Sequence, residues 1–148
     1  MGNYETQLYA KDGAVARITF NRPERRNATD VKFYEDFIAC LEEAEADPEV
    51  RSIVLAGAGT VFSAGQDLKW SATCTEADFD EYNRLINIAW NKIRKLSKPV
   101  IARVHGDALG GGMYMSTRCD LIAMKSTARM AMREIVTGEQ SGGTHLLT

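Results

Sequence analysis

Apolar positions recur at two spacings along this chain, and the spacing switches from one segment to the next. Residues 4–9 and 14–20 read as strands around an Asp12-Gly13 turn, with Ala14, Ala16, Ile18 and Phe20 on one face and Arg17 and Thr19 on the other. Asn21-Arg22-Pro23 breaks that pattern, and a polar loop runs on to Asn27. Thr29 or Asp30 can cap a helix whose Val31, Tyr34, Phe37, Ile38 and Leu41 fall at helical spacing, and Asp47-Pro48 ends it. Residues 51–56 contain Ile53-Val54-Leu55, a short continuous apolar run typical of a buried parallel strand.

Thr75 with Asp78 has the pattern of a capping box. The helix behind it places Phe79, Tyr82, Leu85, Ile86, Ala89, Trp90, Ile93 and Leu96 on one face, and Ser97-Lys98-Pro99 breaks it. Residues 100–104 read as another strand, His105-Gly106 as a turn, and Gly110-Gly111-Gly112 as the lead into a short helix from about Met113. Residues 120–124 and 129–132 read as short strands, and Ser141-Gly142-Gly143-Thr144 as the opening of a final helix. Strand and helix alternate throughout, so the fold class is α/β.

Composition narrows the function classes. With 148 residues, 45% hydrophobic and 26% charged, the chain is long enough and apolar enough for one core, which argues against disorder. No apolar run reaches membrane-span length, and the first ten residues lack a signal-peptide pattern. A net charge of −2 gives no bulk attraction to nucleic acid or anionic membrane. Cys40, Cys74 and Cys119 are scattered and odd in number, which fits free thiols, no zinc site, and a cytoplasmic setting.

Two glycine-bearing loops follow buried strands, where α/β proteins usually build ligand sites. In Gly57-Ala58-Gly59-Thr60-Val61-Phe62-Ser63-Ala64-Gly65, Phe62 stands where a dinucleotide fingerprint needs its third glycine. No Gly-Lys-Ser/Thr follows to make a P-loop, and Val61 excludes a nucleophile elbow at Ser63. In the second loop the three consecutive glycines leave helix-start amides unshielded. One such loop alone reads best as a tight turn. Two of them can supply the converging donors of an oxyanion hole.

The run from Leu55 through Ala64-Gly65-Gln66-Asp67-Leu68-Lys69 resembles the first sequence block of the enoyl-CoA hydratase/isomerase (crotonase) family. Lys98-Pro99-Val100-Ile101-Ala102 through Gly110-Gly111-Gly112 to Cys119-Asp120-Leu121 resembles the second, and Asn21-Arg22-Pro23 with Asn27-Ala28 resembles the block after the opening strands. The resemblance covers nearly the whole chain. It implies a crotonase-like spiral of ββα units that binds a CoA thioester, CoA being part of the substrate and no separate cofactor required. The amides of Ala64 and Gly111 are expected to hold the thioester oxygen, with Ala64, Gly65, Gln66, Asp67, Leu68 and Gly111 bordering the CoA. The family's C-terminal helices, which close the acyl pocket and form trimers or hexamers, have no counterpart in residues 1–148, so a C-terminally truncated core domain is expected.

Hydratases of the family use two glutamates around one water. Glu134 matches one of them, and Tyr114 stands in the place of the other. Glu134 reads as the catalytic base or acid, against the alternative of a surface glutamate paired with Arg133 or Arg129. Tyr114 can orient a carbonyl or water, but packing is the favoured reading, because a phenol is a poor base at neutral pH. One carboxylate suffices to take a proton from C2 and return it to C4, which tilts toward isomerisation, whereas the family resemblance favours hydration, so the expected reaction is hydration or isomerisation of an enoyl-CoA thioester; Glu139 is a remote second candidate. Rival readings are a catalytically impaired CoA-binding or assembly module, and a thioester hydrolase using the same oxyanion hole. His105 and His145 lie in no metal-ligand cluster, and Trp70 and Trp90 read as packing residues.

Overall fold

The computed structural model describes residues 4–134. Strands β1 (Gln7–Asp12) and β2 (Val15–Phe20) form an antiparallel hairpin closed by Gly13-Ala14, with Gly13 at φ 58°. The first strand starts three residues later than its apolar pattern indicated. The reason is a distant carboxylate: the amides of Glu5 and Thr6 both donate to Asp36 Oδ2, at 2.9 Å each, instead of to a strand partner. Ala16, Ile18 and Phe20 are fully buried on one face of β2, as the alternation required.

Helix α1 (Val31–Ala46) follows, then β3 (Ser52–Gly57), which lies parallel to β2. Of the two possible caps, Asp30 is the one used, accepting from Phe33 N at 2.9 Å. Thr29 is buried instead, its hydroxyl 2.8 Å from that of Tyr82. Helix α2 (Leu68–Ser71) is a single turn that apolar spacing could not indicate. Helix α3 (Glu76–Lys95) begins with the reciprocal Thr75–Asp78 capping box and packs against α1.

Strand β4 (Val100–Val104) pairs in parallel with β3 and with β6 (Leu121–Met124), completing a sheet of order β1-β2-β3-β4-β6. A small parallel pair, β5 (Ala108–Leu109) with β7 (Met130–Ala131), stands beside it. Between β5 and β6 lies helix α4 (Gly111–Thr117), which starts two residues earlier than expected because Gly110, at φ 48°, ends the preceding strand abruptly. The core centres on Phe20, whose ring meets Phe33, Phe37 and Phe62 edge-on at 5.0, 5.6 and 5.1 Å. Among the described residues no helix is long and apolar enough to cross a membrane. The expected final helix, Glu139 and His145 fall outside the described residues.

Asn27 pins the polar loop to this frame. It is fully buried at φ 53°, its Nδ2 lies 2.9, 3.0 and 3.2 Å from the carbonyls of Ala58, Val61 and Phe62, and its Oδ1 accepts from Arg22 N at 3.0 Å. Asn27→Ala leaves those buried groups without their partner in a backbone conformation alanine resists. The expected loss is about 2–4 kcal/mol of stability, read from urea denaturation; a loss below about 0.5 kcal/mol would show that the loop is not held this way.

Candidate active site

Three backbone segments run side by side at one end of the parallel strands. Thr29 N donates to Gly65 O at 2.8 Å and Asp67 N to Thr29 O at 2.9 Å, so the loop after β3 lies along residues 27–29. On its other side Leu109 N donates to Ser63 O at 2.9 Å, and Phe62 N to Asp107 O at 3.0 Å. Ser63 is fully buried at this joint, donating from Oγ to Asn27 O at 2.8 Å and accepting from Gly65 N at 3.2 Å.

Accounting for each amide decides which can serve a ligand. Ala64 N donates to Arg26 O at 3.0 Å, so the expectation that it is an oxyanion donor needs correction. The cause is the positive φ of Arg26, 55°, in the turn that brings its carbonyl under Ala64. Gly65 N is engaged by Ser63 Oγ and Asp67 N by Thr29 O. Gln66 N, between them, has no hydrogen-bond partner among the described residues. In the second loop, Ala108, Leu109 and Gly110 donate to Arg129, Ser63 and Ala131, leaving Gly111 N as a first-turn amide of α4.

The two loops touch through backbone where these amides lie. A Cβ placed on Gly65, itself at φ 85°, would stand 2.8 Å from Leu109 O and 3.1 Å from Gly111 N. Gly111 differs: a Cβ there would meet nothing closer than Gly65 Cα and Tyr34 Oη, both at 3.8 Å. Glycine at 65 is therefore required by the fold, whereas at 111 the packing of the protein does not demand it.

The other expected site residues are placed as follows. Glu134 brings its carboxyl against Gly110, with Oε1 3.0 Å from where a Cβ on that glycine would stand. Arg129, one of its alternative partners, is held by Asp107 in a bidentate pair at 3.0 and 2.6 Å. Tyr114 is buried, its ring centroid 5.6 Å from that of Trp90 in a tilted contact. Leu68 is exposed and Gln66 half-buried.

Asp67 is buried and serves the fold: its carboxylate accepts from Lys69 N and Trp70 N at 3.1 and 3.2 Å, capping α2, and meets Arg25 at 2.9 Å. Burial alone would raise its pKa, but the Trp70 and Lys69 amides and Arg25 outweigh that and hold it below the usual carboxylate value. A depressed folded pKa means this contribution to stability is present above the unfolded pKa, near 4, and is lost as pH falls through the folded value. Asp67→Asn is accordingly expected to be less stable than the parent at neutral pH, with the gap narrowing below about pH 4. Urea midpoints measured across that range check it, and a gap that stays constant would contradict it.

Sequence reasoning missed Ser63 as the joint between loops, read Tyr34 and Trp90 only as residues of apolar helix faces, and did not single out Arg118. Their polar atoms sit at positions whose spacing is indistinguishable from that of packing residues. Among the described residues no His, Cys, Asp and Glu group could hold a metal ion, and all three cysteines are free. A surface groove between the end of α1 and α3, lined by Glu45, Arg84, Lys92 and Lys95 among others, includes none of the loop residues above.

Comparison with known proteins places the chain in a family. A Rhizobium meliloti (strain 1021) protein named probable enoyl-CoA hydratase is 38% identical over 99% of the chain, which covers 57% of that protein. The mitochondrial Delta(3,5)-Delta(2,4)-dienoyl-CoA isomerase of Rattus norvegicus is 31% identical over 92% of the chain, covering 45% of its own length. A solved enoyl CoA hydratase/isomerase (crotonase) structure from Legionella pneumophila superposes with a TM-score of 0.86 at 33% identity, over 93% of this chain and 54% of that one. The chain thus spans about half the length of the relatives it matches. The sequence profile named Enoyl-CoA hydratase/isomerase matches residues 10–148, nearly the whole sequence, and the chain belongs to that family.

Proposed function

We propose that this chain binds an acyl-CoA thioester with the carbonyl oxygen between the amides of Gln66 and Gly111. The observation that carries the reading is the Gln66 amide, left over between the engaged amides of Gly65 and Asp67, beside the first-turn amide of Gly111 at the Gly65–Gly111 contact. A thioester carbonyl gains negative charge when C2 loses a proton or C3 gains a nucleophile. Donors fixed at that oxygen therefore act mainly in the transition state. Removing one such donor typically costs about 3 kcal/mol.

Glu134 is the proton carrier. As carboxylate it takes a proton from C2 of a 3-enoyl thioester; the electron pair moves onto the thioester oxygen; the enolate collapses as C4 receives the same proton. This 3- to 2-enoyl shift needs one acid–base group, and Tyr114, its ring packed at a tilt against Trp90, supplies no second carboxylate. The relatives named as a hydratase and as a dienoyl isomerase bracket this chemistry.

The test is turnover by the purified chain of 3-hexenoyl-CoA and crotonyl-CoA, with release of free CoA thiol followed alongside. Isomerisation faster than hydration supports the reading. Thiol release as the main reaction would replace it with thioester hydrolysis. A second reading, a CoA-binding module without turnover, is favoured by Tyr114 in the second glutamate's place, and CoA binding with no reaction of either thioester would establish it.

A further inference from the structure

A cluster of hydrogen-bond donors lies on the inner side of Gly111, and it lacks the acceptors that would satisfy it. Tyr34 Oη is fully buried, 3.8 Å from the position a Gly111 Cβ would take, and has no hydrogen-bond partner among the described residues. Trp90 Nε1 is buried in the same state, and an indole nitrogen can only donate. Arg118 holds its guanidinium 4.0 Å above the Trp90 ring and donates to Tyr114 O at 3.1 Å. No carboxylate pairs with it among the described residues, although it is half-buried. Thr29 and Trp90 lie close enough to Tyr34 to lower its pKa, as does Arg118, but the Thr29 hydroxyl is engaged with Tyr82. Burial prevails and pushes the phenol up to about 12, so it keeps its proton at neutral pH.

An apolar acyl pocket would leave these buried donors unsatisfied, which is costly for each of them. A fork of guanidinium donors with a phenol and an indole beside it is instead complementary to a carboxylate. The geometry also gives a length. Gly111, Tyr114 and Arg118 follow one another along α4, about 10 Å from first to last, and helix side chains lean back toward the N-terminus. The Arg118 head is thereby brought within reach of a short acyl chain anchored at Gly111.

Resting on the acyl-CoA reading above, we infer that the acyl pocket selects a chain that ends in a carboxylate, received by Arg118 with Trp90 Nε1 and Tyr34 Oη. Plain alkyl thioesters fit it poorly.

The test uses the full chain and two saturated thioesters of equal carbon count, glutaryl-CoA and pentanoyl-CoA, with CoA as reference, in titration calorimetry. Glutaryl-CoA is expected to bind at least tenfold more tightly than pentanoyl-CoA. Arg118→Met should reduce that ratio to less than threefold while leaving CoA affinity unchanged. Tyr34→Phe, which removes only the hydroxyl, should lower the ratio without lowering the thermal midpoint, because no protein hydrogen bond is lost. Equal or tighter binding of pentanoyl-CoA overturns the inference alone, as does a preference for glutaryl-CoA that survives both substitutions. Failure of CoA and both thioesters to bind overturns the acyl-CoA reading, and this inference with it.

Discussion

Gly65→Ala is expected to abolish acyl-CoA binding and to destabilise the protein, whereas Gly111→Ala is expected to fold normally and to lose affinity for the thioester alone. The two glycines face each other, but they are glycines for different reasons. At 65 the backbone is at φ 85°, and an added Cβ would stand 2.8 Å from Leu109 O, a backbone atom that cannot swing aside. Left-handed strain of about 1–2 kcal/mol adds to an overpacking cost of about 1–3 kcal/mol, and the loop after β3 must shift, carrying the Gln66 amide with it. At 111 the nearest atoms are 3.8 Å away, an ordinary contact, so the fold accepts a methyl group. That methyl group fills the gap between Gly65 and Tyr34 and crowds a ligand held at the neighbouring amide. Urea denaturation separates the first effect, and calorimetry with CoA and butyryl-CoA separates the second. A Gly111→Ala protein that binds butyryl-CoA as well as the parent would remove the reason for glycine at that position.

Glu134→Gln is expected to lower turnover of 3-hexenoyl-CoA by 10²–10⁴-fold, the range typical of a lost general acid–base group, with thioester affinity nearly unchanged. The substitution keeps the shape of the side chain against Gly110, and so the oxyanion donors should stay in place. Loss of affinity in parallel with turnover would mean that the carboxylate shapes the pocket instead of moving protons. Unchanged turnover would shift the proton transfer to another group, with Tyr114 the first to examine by substitution to Phe.

Much of this fold was legible because its signals are local. The buried face of β2, the Thr75–Asp78 box and the continuous apolar run of β3 all depend on neighbours within a few residues. What was misread depends on distant partners. Strand β1 starts late because Asp36, about 30 residues on, captures two amides. Helix α2 exists because Asp67 caps it, and one turn gives no periodicity to detect.

The site follows the same division. The glycine loops and Glu134 were visible in the sequence as motifs. That the Ala64 amide is already engaged was not, since it turns on positive φ at Arg26, a residue type that rarely adopts it. Nor could spacing place the Arg118 guanidinium over Trp90, because one lies at the end of α4 and the other on α3.

The central claim is that a thioester carbonyl is polarised between Gln66 and Gly111. Isotope-edited infrared spectroscopy of butyryl-CoA labelled with ¹³C at the carbonyl measures this directly, because the saturated thioester cannot react. On binding to the full chain the carbonyl stretch is predicted to move to lower wavenumber, and Gly65→Ala to remove that shifted band. A bound thioester whose carbonyl absorbs where the free one does would contradict the account.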